Sequence, residues 1–341
     1  MTELTLEDIA KRAGVSRSTV SRVVNDSPNV SIDVRKRVLK VIQTTGYQPN
    51  IAARSLASQR SNLIGLVLPR SVSSFFTDPF FPHLTQGIAF GCNNNDLTLS
   101  LFIVGSKEDE EKIYPRISRR GLLDGVLVQS GQMDDKLTEE LIKSSLPTVI
   151  IGRPFTSEGV NYIDVDNVRA AKKATEHLIK LGYKRIATIT GTPGSSVTED
   201  RLEGYKQALT LSGRMIDENL IAKGEFSENS GYFAMQQLLP QHPDAVFAAS
   251  DIMASGAMRA IFDAGLRVPG DVAMVGFDDI PLAATTQVKL TTVHQPITRF
   301  GVQAVELLQD VITNGCTPAR HIILDTELII RESCGANKPR R

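Results

Sequence analysis

Long apolar runs are missing from this 341-residue sequence, and none reaches the roughly 18 residues that a membrane span needs. The opening Met1-Thr2-Glu3-Leu4-Thr5 has neither the basic start nor the apolar stretch of a secretory signal. Residence in the cytoplasm is the expectation. Cysteine is scarce: Cys92, Cys316 and Cys334 are odd in number, far apart and without metal spacing, so they read as reduced thiols. The five histidines, His83, His177, His242, His294 and His321, are scattered. No Ser/His/Asp ordering, metal triad or Walker loop is present. Gly191-Thr192-Pro193-Gly194-Ser195-Ser196 looks like a phosphate cradle, but no lysine follows its second glycine. The neighbouring acids Asp278 and Asp279 do not suit a glycosidase, because adjacent residues seldom converge on one bond. Neither an enzyme nor a cofactor is expected.

Net charge is also lacking, yet the zero hides an asymmetry. Residues 1–60 hold ten Lys+Arg against five Asp+Glu, and the remainder holds 28 against 33. A small basic head on an acidic body suits attraction to phosphate by the head alone. The length favours two or three domains, and 41% hydrophobic with 22% charged residues is a globular balance.

The most informative stretch is Leu4–Tyr47. Leu6, Ile9, Ala10 and Ala13 recur at helical spacing, with Thr5 as N-cap and Asp8 in the first turn. Gly14 can take the left-handed backbone that turns one helix into the next. Ser16 then caps a second short helix. Val20, Val23 and Val24 are its apolar side, and Arg17, Ser18, Ser21, Arg22 and Asn25 its polar one. This pattern predicts a helix-turn-helix with a recognition helix. A third helix follows, capped by Ser31 and packing Val34, Val38, Val41 and Ile42, with Gly46 closing it and Tyr47 covering the core. Residues 49–60 favour a helix of about two turns, too short to be stable alone in water.

From Asn62 onward, β-branched apolar runs alternate with amphipathic helical segments. The strands are expected at 63–68, 99–104, 125–128, 148–151, 185–189, 245–248 and 272–275. Helices are expected at 168–181, 201–211, 230–239 and 255–264. Such alternation predicts parallel sheets covered on both faces. Two doubly wound lobes fit better than one giant sheet, with crossings at 161–167 and 290–296.

Several motifs together carry a resemblance. They are Thr5-Leu6-Glu7-Asp8-Ile9-Ala10, Ala13-Gly14-Val15-Ser16, Thr19-Val20-Ser21-Arg22-Val23-Val24-Asn25, Gly46-Tyr47-Gln48-Pro49-Asn50, Ala53-Arg54-Ser55-Leu56-Ala57, Asp200-Arg201-Leu202-Glu203-Gly204-Tyr205, Ala249-Ser250-Asp251 and Val275-Gly276-Phe277-Asp278-Asp279. From residue 4 to about 332 the chain resembles the LacI/GalR family of bacterial transcription regulators. The resemblance implies an all-α helix-turn-helix head with a hinge helix. Behind it would stand an α/β periplasmic-binding-protein-like body of two doubly wound parallel-sheet lobes. The implied divisions are a head at 1–48, a hinge at 49–60 and a body at 61–332. Lobe 1 would take about 61–161 and 293–322, and lobe 2 about 162–290 and 323–332. Residues 333–341 would be a disordered tail.

The implied partners are palindromic operator DNA, a second copy of the chain and a small-molecule effector, with no membrane. Arg17 and Ser18 would face base edges, and Arg22 would be the second base-reading arginine. Ser16, Thr19, Ser21 and Asn25 would hold phosphates; Thr5, Leu6, Asn50, Ala53 and Ala57 complete the DNA set. Leu56 would wedge between central base pairs from the minor groove. For the effector, position beyond the strand ends points to Phe81, Arg153 and Asp251, and the resemblance adds its weight for Arg201, Phe226, Ser250 and Asp278. Ser250 stands where the family frequently has asparagine, and Asp251 reads equally as a helix cap. One arginine, one carboxylate and several aromatics favour a neutral polyhydroxylated ligand. The Ile151-Gly152-Arg153-Pro154-Phe155 loop resembles members sensing maltose- or cellobiose-type sugars. The alternatives are a corepressor-type or nucleobase-sensing regulator of the same architecture, a sugar-binding transport protein, or a sugar-modifying enzyme.

Because the wedge unstacks one base step at a cost of about a few kcal/mol that a wider contact surface offsets, Leu56→Ala is expected to weaken operator binding strongly while leaving effector affinity almost unchanged. Gel-shift titration checks the first effect and calorimetry the second.

Overall fold

The computed structural model describes residues 4–24, 27–47, 60–68, 77–119, 121–129, 133, 135–156 and 158–336. Two compact units divide between Asn62 and Leu63. In the first, α1 (Leu6–Ala13) opens on a capping box. Asp8 N–H donates to Thr5 Oγ1 at 3.3 Å, and Thr5 N–H donates to Asp8 Oδ2 at 2.9 Å. Gly14 ends the helix at φ +64° with its N–H on the Ala10 carbonyl, which the absence of a Cβ permits. α2 (Arg17–Val24) follows α1 after three residues, and Thr19 N–H donates to Ser16 Oγ at 3.2 Å. α3 (Ile32–Thr45) starts after Ser31, whose side chain makes no capping bond, contrary to expectation. Ile9, Ala10, Ala13, Val20, Val23, Val38 and Tyr47 form the core, flanked by the half-buried Val34, Val41 and Ile42. The expected hinge helix at 49–60 lies outside the described residues save for Arg60, as does Asn25.

The second unit starts with β1 (Leu63–Leu68), α4 (Phe80–Asn94), β2 (Thr98–Ile103), α5 (Lys107–Ile117), β3 (Gly125–Gln129), α6 (Lys136–Lys143), β4 (Thr148–Ile151) and β5 (Tyr162–Val165). The chain then crosses to α7 (Asn167–Lys180), β6 (Ile186–Thr190), α8 (Ser196–Leu211), β7 (Ile221–Lys223), α9 (Glu228–Leu238), β8 (Ala245–Ala248), α10 (Asp251–Asp263), β9 (Ala273–Asp278), α11 (Pro281–Thr285) and β10 (Thr291–His294). It returns for α12 (Ile297–Asn314) and β11 (His321–Leu324), and crosses a third time to β12 (Glu327–Ile329).

Two six-stranded sheets result, ordered β11-β5-β4-β3-β1-β2 and β12-β10-β9-β8-β6-β7. Their pairings are parallel, apart from the antiparallel β10–β12. Alternation along each strand feeds two cores per sheet. In the first lobe, Ile64, Leu66 and Leu68 pack with Phe81, Leu84 and Ile88 of α4 and Phe300 and Leu308 of α12. Val67 and Val128 pack on the other side with Ile117 and Leu141. The second lobe repeats the scheme, with Ile189, Val246 and Met274 against α9 and α10, and Phe247, Val275 and Phe277 against α7 and α8.

Four expected boundaries shift. β11 pairs with β5 through Leu324, so the first lobe's second segment ends at 324 rather than 322. β5 pairs with β4 and β11, so the first lobe runs through Val165 rather than ending near 161. β10 joins β9 in the second sheet, which keeps residues 293 and 294 out of the first lobe. Ser333 and Cys334, expected in a disordered tail, are fully buried in the second lobe. Ser333 Oγ accepts from Thr291 N–H at 2.8 Å and donates to the Met274 carbonyl at 2.7 Å, which pins the segment.

α9 and α10 touch backbone to backbone at Gly256, where an added Cβ would lie 1.9 Å from the Glu228 carbonyl oxygen. Gly256→Ala is therefore expected to force the helices apart and cost about 1–3 kcal/mol. Urea unfolding of the full chain measures it.

Candidate DNA-reading face and effector cleft

On the head, burial of Val20 and Val23 turns the opposite side of α2 outward. Arg17, Ser18 and Arg22 are exposed there, with Thr19 and Ser21 half-buried beside them. Ser16 Oγ lies 2.8 Å from both Ser18 Oγ and Thr19 Oγ1, so the hydroxyls form one chain of donors ahead of the arginines. Arg17 Nε is 3.1 Å from Glu7 Oε1, with both side chains more than half exposed. Such a pair holds weakly in water and leaves the guanidinium accessible. Thr5 is taken up by its capping box, and Leu6 packs at the edge of the core. Asn50, Ala53, Leu56 and Ala57 lie outside the described residues.

Between the body's lobes is a cleft lined from both sides. Phe80 and Phe81, which open α4, and Phe300 of α12 give it an apolar wall from the first lobe, joined by Gln129, Ile151, Gly152 and Asp164. Ser195, Val197, Arg201, Phe226, Ser250, Asp278 and Gln295 face them from the second lobe. Five of the seven expected effector residues thus converge: Phe81, Arg201, Phe226, Ser250 and Asp278.

Arg201 is the hub. It sits in the second turn of α8, which starts at Ser196, five residues earlier than expected. Its guanidinium is 5% exposed and lies 3.6 Å over the Phe277 ring centroid. Nε donates to Asn167 Oδ1 at 2.9 Å, and Nη1 donates to the Ala249 carbonyl and lies 3.5 Å from Asp278 Oδ1. Asp278 is turned inward by two consecutive left-handed residues, Asp278 at φ +114° and Asp279 at φ +56°. Such backbone costs of order 1–3 kcal/mol per residue and persists where the surroundings over-determine it. Gln295 Nε2 donates to Asp278 Oδ1 at 2.6 Å, whereas Asp279 points elsewhere, to His294 Nδ1 at 3.0 Å and Arg331 Nη2 at 2.6 Å.

Two expected residues do not line the cleft. Asp251 is fully buried behind it, accepting from Thr292 Oγ1 and from Ile280 N–H at 3.0 Å. Its Oδ1 would lie 2.4 Å from a Cβ on Gly276, so a bare glycine makes its room. The helix cap is Ser250, whose Oγ accepts from Met253 N–H at 3.4 Å. Arg153 spends its guanidinium on Asp200. Asp164 went unnoticed in the sequence because the short strand Tyr-Ile-Asp-Val mixes polar and apolar residues. Gln129, Gln295 and Phe300 likewise follow strands or open a helix, as ligand groups of open α/β lobes do.

Burial raises the Asp164 carboxyl to about 6, even though the Val165 and Arg153 N–H groups and Arg201 oppose the shift. Asp278 is raised to about 7, again by burial against the pull of Arg201. Asp251 moves upward for the same reason, with Asp278 as its charged neighbour.

A helix-turn-helix head and a two-lobed binding body define a DNA-binding regulator that responds to a small ligand. Residues 5–50 match the model of the bacterial regulatory proteins of the lacI family, and residues 175–334 match the periplasmic binding protein-like domain. The HTH-type transcriptional regulator CelR of Thermobifida fusca is 38% identical over 333 residues, covering 96% of this chain and 98% of that protein. Catabolite control protein A of Priestia megaterium is 32% identical, covering 97% and 99%. Among solved structures, a CelR–cellobiose complex aligns with a TM-score of 0.77 at 37% identity, covering 97% of this chain and 99% of that one. A lac repressor dimer bound to operator and the anti-inducer ONPF aligns at 0.83 and 27% identity, covering 98% and 99%. The chain belongs to the LacI family, and it is a DNA-binding transcription regulator. No helix among the described residues is long and apolar enough to cross a membrane.

The raised carboxyls make stability depend on pH. In the folded body Asp164 and Asp278 still hold protons where unfolded carboxyls, near 3.8, have lost them. Their contribution is complete below about pH 4. It disappears as pH rises through about 6 for Asp164 and about 7 for Asp278. Tm of the ligand-free chain is expected to fall from pH 5 to pH 8 on their account, and Asp164→Asn to flatten part of that slope, as scanning fluorimetry will read.

Proposed function

We propose that this protein is a homodimeric repressor of carbohydrate-utilisation genes, released from a palindromic operator when a neutral gluco-oligosaccharide of the cellobiose class enters the cleft. The observation that carries the reading is the lining itself. Phe80, Phe81, Phe226 and Phe300 offer aromatic surface to the apolar faces of sugar rings, while Arg201, Asp164, Asp278, Gln129 and Gln295 offer donors and acceptors to hydroxyls. The similarity to a regulator solved as a cellobiose complex supports the same class. Effector contact is assigned to Phe81, Arg201, Phe226, Ser250 and Asp278. Base reading is assigned to Arg17, Ser18 and Arg22, whose outward placement on α2 supports it.

The cleft binds its sugar without transforming it. Asp278 and Asp279, the adjacent acids, point apart, one to the cleft and the other to His294 and Arg331. They do not form the facing pair that glycoside hydrolysis needs.

Sugar hydroxyls donating to Asp164 and Asp278 favour the ionised carboxylates, so binding should release protons near pH 6–7 and tighten as pH rises to about 7. Calorimetry against a disaccharide panel in buffers of different ionisation enthalpy is expected to show cellobiose-class binding with proton release. In gel shifts the same sugar should free the operator. Binding confined to a nucleobase or a sugar phosphate would defeat the proposal.

A further inference from the structure

Arg153 follows β4 in the first lobe, and each of its polar groups is committed. Its guanidinium reaches Asp200 on α8 of the second lobe through two bonds, Nε to Oδ2 at 2.9 Å and Nη2 to Oδ1 at 2.6 Å. Its carbonyl accepts from Ser196 Oγ, also on α8, at 2.6 Å. Its N–H donates to Asp164 Oδ2, on the cleft wall, at 2.7 Å. A second crossing nearby joins Met133 N–H to the Gly194 carbonyl at 2.8 Å. The Asp200 side chain is 14% exposed and that of Arg153 36%, so the pair is partly shielded from water.

We propose that Arg153 and Asp200 are positioning residues: together they clasp the two lobes shut and set the ligand affinity of the cleft without touching the ligand. Neither residue lines the cleft. A bidentate arginine–carboxylate pair is geometrically demanding. With one ion on each lobe, it exists only while the lobes are together, and opening returns both ions to water. The clasp thereby raises the population of the closed form, and apparent affinity scales with that population. Arg153 also ties closure to the cleft chemistry, because the residue that grips Asp200 orients the Asp164 carboxylate through its own N–H. Asp200 immediately precedes Arg201, so one turn of α8 sends one side chain to the opposite lobe and the next into the cleft.

The test uses the full chain with cellobiose as the probe, and so rests on the sugar reading for that arm alone. A second arm needs no ligand: the inter-lobe distance from spin labels at Glu139→Cys and Met215→Cys, in a Cys316→Ser background. Asp200→Asn is expected to raise the cellobiose Kd by roughly 5- to 50-fold and to lengthen the ligand-free distance. The exchange Arg153→Asp with Asp200→Arg should recover both, which a residue needed only for folding would not do. If Asp200→Asn changes neither affinity nor distance, the clasp is overturned. If Arg153→Met weakens binding while Asp200→Asn does not, Arg153 serves the ligand directly and the clasp again fails. Should the wild-type chain ignore cellobiose, the sugar reading falls, and the spin-label distances still decide on the clasp.

Discussion

A buried guanidinium governs the body. Arg201 is withdrawn from water over the Phe277 ring, and a charge so placed is tolerable only when surrounding groups replace its hydration. Asn167, the Ala249 carbonyl and Asp278 do so, and they come from three different segments of the second lobe. Satisfying one cation therefore fixes the start of α7, the end of β8 and the left-handed turn after β9 together. The carboxylates that neutralise it are themselves desolvated, which moves Asp164 and Asp278 toward neutrality. The result is a cleft whose walls are rigid and whose charge is poised near physiological pH.

The head uses a different economy. Its core is six small or medium aliphatic side chains and Tyr47, and its geometry is set by local devices: a capping box, a glycine in the left-handed region and a three-residue turn. The polar side chains on α2 are free to face outward because Val20 and Val23, with the half-buried Val24, supply its packing on the core. The hydroxyl chain from Ser16 to Thr19 and the loose Arg17–Glu7 pair leave donors that are ordered but not consumed.

Local signals were legible in the sequence where each was sufficient by itself. Thr5, Asp8 and Gly14 specify the first turn of the head without help from distant residues, and the long apolar strands of the body announce themselves. Short strands such as β5, β7 and β12 did not, because three or four residues of mixed polarity acquire strand character only from the neighbours they pair with. The cleft was half legible. Arg201 and Asp278 sit in recognisable motifs, whereas Asp164 and Gln295 become site residues only when the lobes are assembled. The failures have one cause. Arg153 and Asp251 are charged groups whose partners, Asp200 in the one case and Thr292 with the Ile280 N–H in the other, are dozens of residues away. Ser333 and Cys334 looked like tail because nothing in a nine-residue stretch reveals that the Met274 strand needs a partner along its length.

The chain passes between the lobes three times, after β5, after β10 and after β11. A single tether would allow two lobes to twist and slide past one another, and each further connection takes away some of that freedom. A ligand that draws the lobes together therefore acts on a pair already limited in how it can move, and the weaving of the backbone supplies that limit.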